Sequence, residues 1–106
     1  MIALEDLAES VLEKTREGKL TWTELSATGY HSNIGPNSIT IDQFIGGIGG
    51  GTFALRFTND KGTVIQTIHS SPETHAKLKE IYALARRQAL RVDETLLTIK
   101  RALDSL

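Results

Sequence analysis

Three histidines, two adjacent serines, a run of glycines and a cluster of arginines are the residues of this chain whose types could do chemistry. A zinc site needs three or four ligands, commonly two of them close together on one element. His69 and His75 flank Ser70, Ser71 and Glu73, which leaves a fortuitous site open, while His31 lies far away in sequence. The spacing favours solvated or strand-edge histidines. His69 beside Ser70 and Ser71 also suggests an activated serine, but nothing nearby reads as the strained elbow or oxyanion loop that makes a serine reactive. The chain has no cysteine, which removes disulfides, thiolate zinc sites, iron–sulfur ligation and thiol nucleophiles together. No catalytic residue, no metal ligand and no cofactor is expected.

Ile45-Gly46-Gly47-Ile48-Gly49-Gly50-Gly51-Thr52 offers bare backbone N–H groups of the kind that cradle anions. No Gly-Lys-Ser/Thr follows it, no G-x-G-x-x-G reads through it, and its flanks look like strands. A hairpin tip is the plainer reading; a ligand-binding or partner-binding loop is the other. Arg86, Arg87 and Arg91 form the densest basic group. On one continuous helix, Arg87 and Arg91 share a face and could clamp a carboxylate or phosphate. They could equally solvate the helix or pair with an acidic one. If the chain binds a small anion or nucleotide, Gly47, Gly49, Gly50, Arg87 and Arg91 are the expected contacts. The acids gather on the first helix or at turns such as Asp60, where a solvated face is expected rather than paired acid–base catalysts.

The elements that must position these residues follow from periodicity. Leu4, Leu7, Ala8, Val11 and Leu12 make one apolar stripe on an acidic helix, which Gly18 ends. Thr21–Leu25, Tyr30–Ile34, Ser38–Asp42, Thr52–Thr58 and Thr63–His69 read as strands. Gly35-Pro36-Asn37 and Asn59–Gly62 supply turns, so the strands form an antiparallel meander. Ser70-Ser71-Pro72-Glu73 starts the next helix with a serine cap and proline at the first helical position.

From there, Leu78, Tyr82, Ala85, Ala89, Val92, Leu96, Ile99, Leu103 and Leu106 fall at alternating four- and three-residue steps. Read literally, this is one long helix with a coiled-coil seam. A second reading breaks or kinks the helix near Arg91–Asp93, with Asp93 as a new cap and Val92 and Leu97 as a hydrophobic staple. The break is favoured, because a helix about 50 Å long would overrun a domain whose radius of gyration should be near 13 Å.

The succession of Trp22, Ile34-Gly35, Ile39, Ile41, Leu55 and the Asn59–Gly62 turn, with the tail from Leu78 through Arg87 to Glu94, resembles the layout of short single-domain bacterial proteins. The resemblance implies a bacterial, cytosolic setting and this element order, and carries over no site residue.

With 106 residues, the chain is expected to be a single α+β domain: an N-terminal helix, a four- to five-stranded antiparallel sheet, and a C-terminal helical segment on one sheet face. Expected core residues are Leu7, Val11, Ile39, Ile41, Phe53, Leu55, Phe57, Leu78, Ile81, Tyr82 and Ala85. The acidic start of the chain reads as neither a signal peptide nor a membrane span. The net charge of −1 makes nucleic acid and anionic membranes poor partners. Trp22, Tyr30 and Tyr82 make no stacking platform for single strands. Residues 1–18 are net acidic and residues 72–106 net basic, so the two ends should attract each other within a chain or between chains. The function expected is a non-enzymatic protein–protein interaction or self-association module, a homodimer or the receiver of a protein partner. Its interface residues would be Leu96, Ile99, Leu103 and Leu106. The competing expectation is a small-ligand sensor built on the glycine loop and the arginines.

Overall fold

The computed structural model describes residues 2–44 and 51–106. Helix α1 (Leu4–Arg16) precedes strands β1 (Thr23–Ser26), β2 (Gly29–Ile34), β3 (Asn37–Phe44), β4 (Thr52–Thr58) and β5 (Val64–His69). Helices α2 (His75–Ala89) and α3 (Val92–Asp104) follow. The five strands lie in sequence order and every neighbouring pair is antiparallel, the meander that the short turns imply.

Alternation along the strands gives the sheet one apolar face. Tyr30, Ile41, Leu55 and Ile68 stand opposite one another in a single row across four strands, and all four are buried. Helices α1 and α2 cover this face, and Ala8, Val11, Leu12, Trp22, Ile39, Phe53, Leu78, Ile81 and Ala85 complete the core. Leu7, Phe57 and Tyr82 are partly buried against it. The opposite face is polar: Thr23, His31, Thr40, Arg56 and Thr67 share one row. Asp42, on the neighbouring row, pairs with Arg56.

Helix α1 closes with a Schellman motif. Gly18, at φ +72°, donates its N–H to Thr15 O at 3.1 Å, and Lys19 donates to Lys14 O at 2.9 Å; an L side chain would resist this left-handed turn. Helix α2 enters through a turn, not directly at Pro72. Ser71 Oγ accepts the Thr74 N–H at 3.2 Å and Ser71 O accepts from His75 at 2.9 Å. The expected serine cap with proline at the first helical position is not what starts the helix: Ser71 closes the preceding turn, and Thr74, without a side-chain cap bond, is the residue before α2. Charge complementarity between the chain's ends is realised within the chain: Arg16 donates twice to Glu80, at 2.6 and 2.7 Å, and Lys77 lies 3.4 Å from both Glu5 and Glu9.

The long apolar seam is broken at the expected place by an unexpected device. Arg91 adopts the left-handed conformation, φ 52° and ψ 47°, and stands as the residue before α3. Asp93 does not cap the helix; it lies within the first turn, and no side chain caps this end. The seam thus has two fates. Leu78 and Ala85 are buried in α2, whereas α3 contains no buried residue. Projection of α3 lengthens the molecule to 57 Å and raises the radius of gyration to 15.5 Å, above the roughly 13 Å of a compact domain this size.

Candidate functional site

The most exposed apolar surface belongs to α3. Leu96, Leu97, Ile99 and Leu103 are about half exposed or more, and Leu106 is fully exposed. All four residues expected at an interface, Leu96, Ile99, Leu103 and Leu106, are in this group. Spacings of three and four residues put Leu96, Ile99 and Leu103 on one side of the helix, Leu106 follows its end, and among the described residues α3 packs appreciably only against the neighbouring α2. A lone helix of about 12–15 residues is marginal in water, so a 13-residue α3 needs a surface against which to bury this stripe.

A second unfilled apolar surface lies across the molecule. An apolar groove of about 440 Å³ runs between α1 and one end of the sheet. Leu7 and Val11 form its helical wall, Ile34, Ile39, Phe57 and Ile65 its sheet wall, and Leu20 also lines it. A local cause opens this end of the sheet. The register of β4 and β5 slips after Phe57, which faces Gln66, so that Thr58 faces Val64. Ile65 is left at this bulge without a direct partner and joins the groove. Sequence reading missed the groove because Ile34 and Ile65 look like ordinary strand-end residues. The one available signal was Val64-Ile65, two adjacent β-branched apolar residues that strict alternation cannot both bury.

On the other side of α2, a groove of about 390 Å³ gathers Lys79, Arg86 and Arg87 with Gln43, Phe53, Tyr82 and Val92. Of the anion-binding residues expected from the sequence, Arg87 lines this groove. Gly47, Gly49 and Gly50 lie outside the described residues. Arg91 does not line it: the break at Leu90–Arg91 destroys the four-residue relationship that would have put Arg87 and Arg91 on one face. Both arginines instead meet acids of α3, Arg87 with Asp93 at 2.5 Å and Arg91 with Glu94 at 3.6 Å. Lys79 and Arg86, not anticipated as a pair, carry the groove's remaining positive charge.

The histidines are dispersed. His31 and His69 occupy different rows of the polar sheet face. His75 lies against the ring of Phe53, at 5.6 Å between centroids, with Nδ1 3.1 Å from Ser70 Oγ. No group of three histidine or acidic side chains able to hold a metal occurs among the described residues. Among the same residues, no helix is long and apolar enough to cross a membrane. No protein-family model, curated protein or solved structure matches this chain.

Proposed function

We propose that this chain is a non-enzymatic interaction module that self-associates through the apolar face of α3. One observation carries the reading: α3 presents Leu96, Ile99 and Leu103 to solvent, with Leu106 exposed just past its end, and buries none of its residues. Such a contiguous apolar stripe on a projecting element marks an interaction site. A membrane surface is the poorer occupant, because Asp93, Glu94 and Asp104 outnumber Lys100 and Arg101 on α3, where lipid-binding helices are basic. Native mass spectrometry tests the proposal. The protein should fly at twice its 11.6 kDa chain mass, and Leu103→Glu should convert it to the single chain without loss of helical signal. An unchanged mass for the variant would remove α3 from the interface, and a monomeric parent protein at all concentrations would end the proposal.

A second reading rests on the groove beside α2, where Lys79, Arg86 and Arg87 surround one opening next to the strands that bracket the glycine run. In this reading the chain senses a small anion or nucleotide. Binding only to the folded state must raise stability, so phosphorylated metabolites should raise the melting temperature, and Arg86→Ala should abolish the rise. No shift across a broad panel excludes it.

A further inference from the structure

Resting on the self-association reading, we infer that α3 of one copy seats in the apolar groove between α1 and the sheet of a second copy, reciprocally, so that each molecule exchanges its last helix with the other. Among the described residues, none covers the apolar face of α3 and none fills the space between the apolar walls of the groove. Each supplies what the other lacks.

The helix of the same chain does not occupy the groove: α3 packs against α2, and the groove's lining residues come from α1, Leu20 and the sheet. Glu5, Glu9 and Arg16 mark the side of α1 that meets α2, whereas Leu7, Ser10, Val11 and Lys14 mark the side that lines the groove. Helix α1 therefore stands between the first turns of α2 and the cavity, while the far end of α2 is tied to the groove's margin where Gln88 donates to Leu20 O at 3.2 Å. The α2–α3 junction is turned by the left-handed Arg91 and tied by the Arg87–Asp93 pair.

A simple pairing of α3 with α3 is the weaker use of the same stripe. Thirteen residues make fewer than two heptads, and a self-sufficient coiled coil takes about three to four. A single contact about 20 Å long also falls short of the roughly 800 Å² per partner that a stable interface covers. Reciprocal seating makes two contacts per dimer. In each of them a helix face meets two walls instead of one ridge.

Charge sets no obstacle. Among the described residues, Lys14 is the one ionisable residue lining the groove. Next to the α3 stripe, on the side of Ile99, helical spacing places Thr95 and Ala102. Seating the stripe with that flank against the polar rim of Asn37, Ser38 and Thr58 buries no unpaired charge, which would otherwise be costly.

The absence of cysteine from the chain makes a clean test available. Ile65→Cys and Ile99→Cys each alter an exposed side chain, so neither should disturb the fold, and circular dichroism with thermal melting would verify this. The two full-length variants are mixed, allowed to exchange and oxidised mildly. Exchange seating predicts that the mixed Ile65→Cys/Ile99→Cys disulfide dominates over either homodisulfide, and that Ile65→Glu weakens dimerisation about tenfold or more, as loss of an interface anchor does. Dimers that yield only the disulfide between two Ile99→Cys chains would overturn the groove as the seat while leaving self-association through α3 intact. A monomeric protein yielding no interchain disulfide would overturn both readings. A monomeric doubly substituted chain that closes an internal disulfide would show that its own helix fills the groove, and would equally overturn the exchange.

Discussion

Arg87, in the last turn of α2, holds Asp93, in the first turn of α3, through a contact of 2.5 Å that spans the break between the two helices. It works beside Arg91, whose φ of 52° makes it the only described non-glycine residue with positive φ. Together they set the direction in which the apolar stripe leaves the body. Both side chains of the pair are largely exposed, so Arg87→Ala should cost less than about 1 kcal/mol of stability. Its larger effect should be on orientation, seen as increased amide exchange in α3 with α2 unchanged.

Arg91 occupies a conformation that glycine adopts freely and β-branched residues resist. Arg91→Gly should therefore be neutral or stabilising by up to about 1 kcal/mol, and Arg91→Val should destabilise by a similar or larger amount. Urea denaturation of the two variants gives the comparison, and a more stable valine variant would contradict the left-handed junction.

Beneath α1, the buried indole of Trp22 donates its N–H to Thr15 Oγ1 at 3.2 Å, and the same hydroxyl donates to Val11 O at 2.7 Å. Thr15→Val keeps the volume but leaves a buried donor without its partner, at a cost of about 1–3 kcal/mol. Equilibrium denaturation followed by tryptophan fluorescence should show both the loss of stability and a change in the native emission.

Gly29 is required by contact. A Cβ at this position would collide with the carboxylate of Asp42 on the neighbouring strand, the group that pairs with Arg56. Gly29→Ala should destabilise by about 1–3 kcal/mol through overpacking. Combining Gly29→Ala with Asp42→Ala should recover part of the steric loss, so the two changes should be non-additive.

Burial raises the Tyr30 hydroxyl above its ordinary pKa, and the neighbouring Tyr82 adds to the shift. Folding therefore favours the neutral phenol. The contribution is fully present below the unfolded value near 10 and is lost as pH rises through the higher folded value. Tyr30→Phe should flatten the loss of stability above about pH 10. The opposite sign holds for Glu80, which the hydrogen bond from Arg16 keeps below its ordinary pKa. Its contribution is present above the unfolded carboxylate range and disappears as pH falls through the lower folded value, so Glu80→Gln should diminish the acid dependence.

The fold was legible in the sequence where a local rule and burial agreed. Phe53, Leu55 and Phe57 alternate because β4 is central and one-sided, and Gly18 follows α1 because its Schellman turn requires positive φ. The helix break was legible from its length problem, but its mechanism was not: Asp93 looked like a cap, and the backbone instead turns left-handed at Arg91. Trp22 and Tyr30, fully part of the core, lie on or beside strands with too little alternation to announce a buried face. The apolar α3 stripe stood out at once, whereas the groove opposite α2 depends on residues up to 58 positions apart, from Leu7 to Ile65.

By itself, the sequence determined the element order, the antiparallel meander, the apolar faces of α1 and α2, and the stripe on α3, because each follows from spacing along a few consecutive residues. Only the tertiary structure decided which half of the long apolar seam would be covered. Leu78 and Ala85 meet the sheet because α2 crosses it, and the left-handed backbone at Arg91 directs Leu96, Ile99 and Leu103 into solvent. The same packing placed Leu7 beside Ile65 and left a space between them. Periodicity records which residues must leave water; the arrangement of the whole chain determines which of them find cover within it.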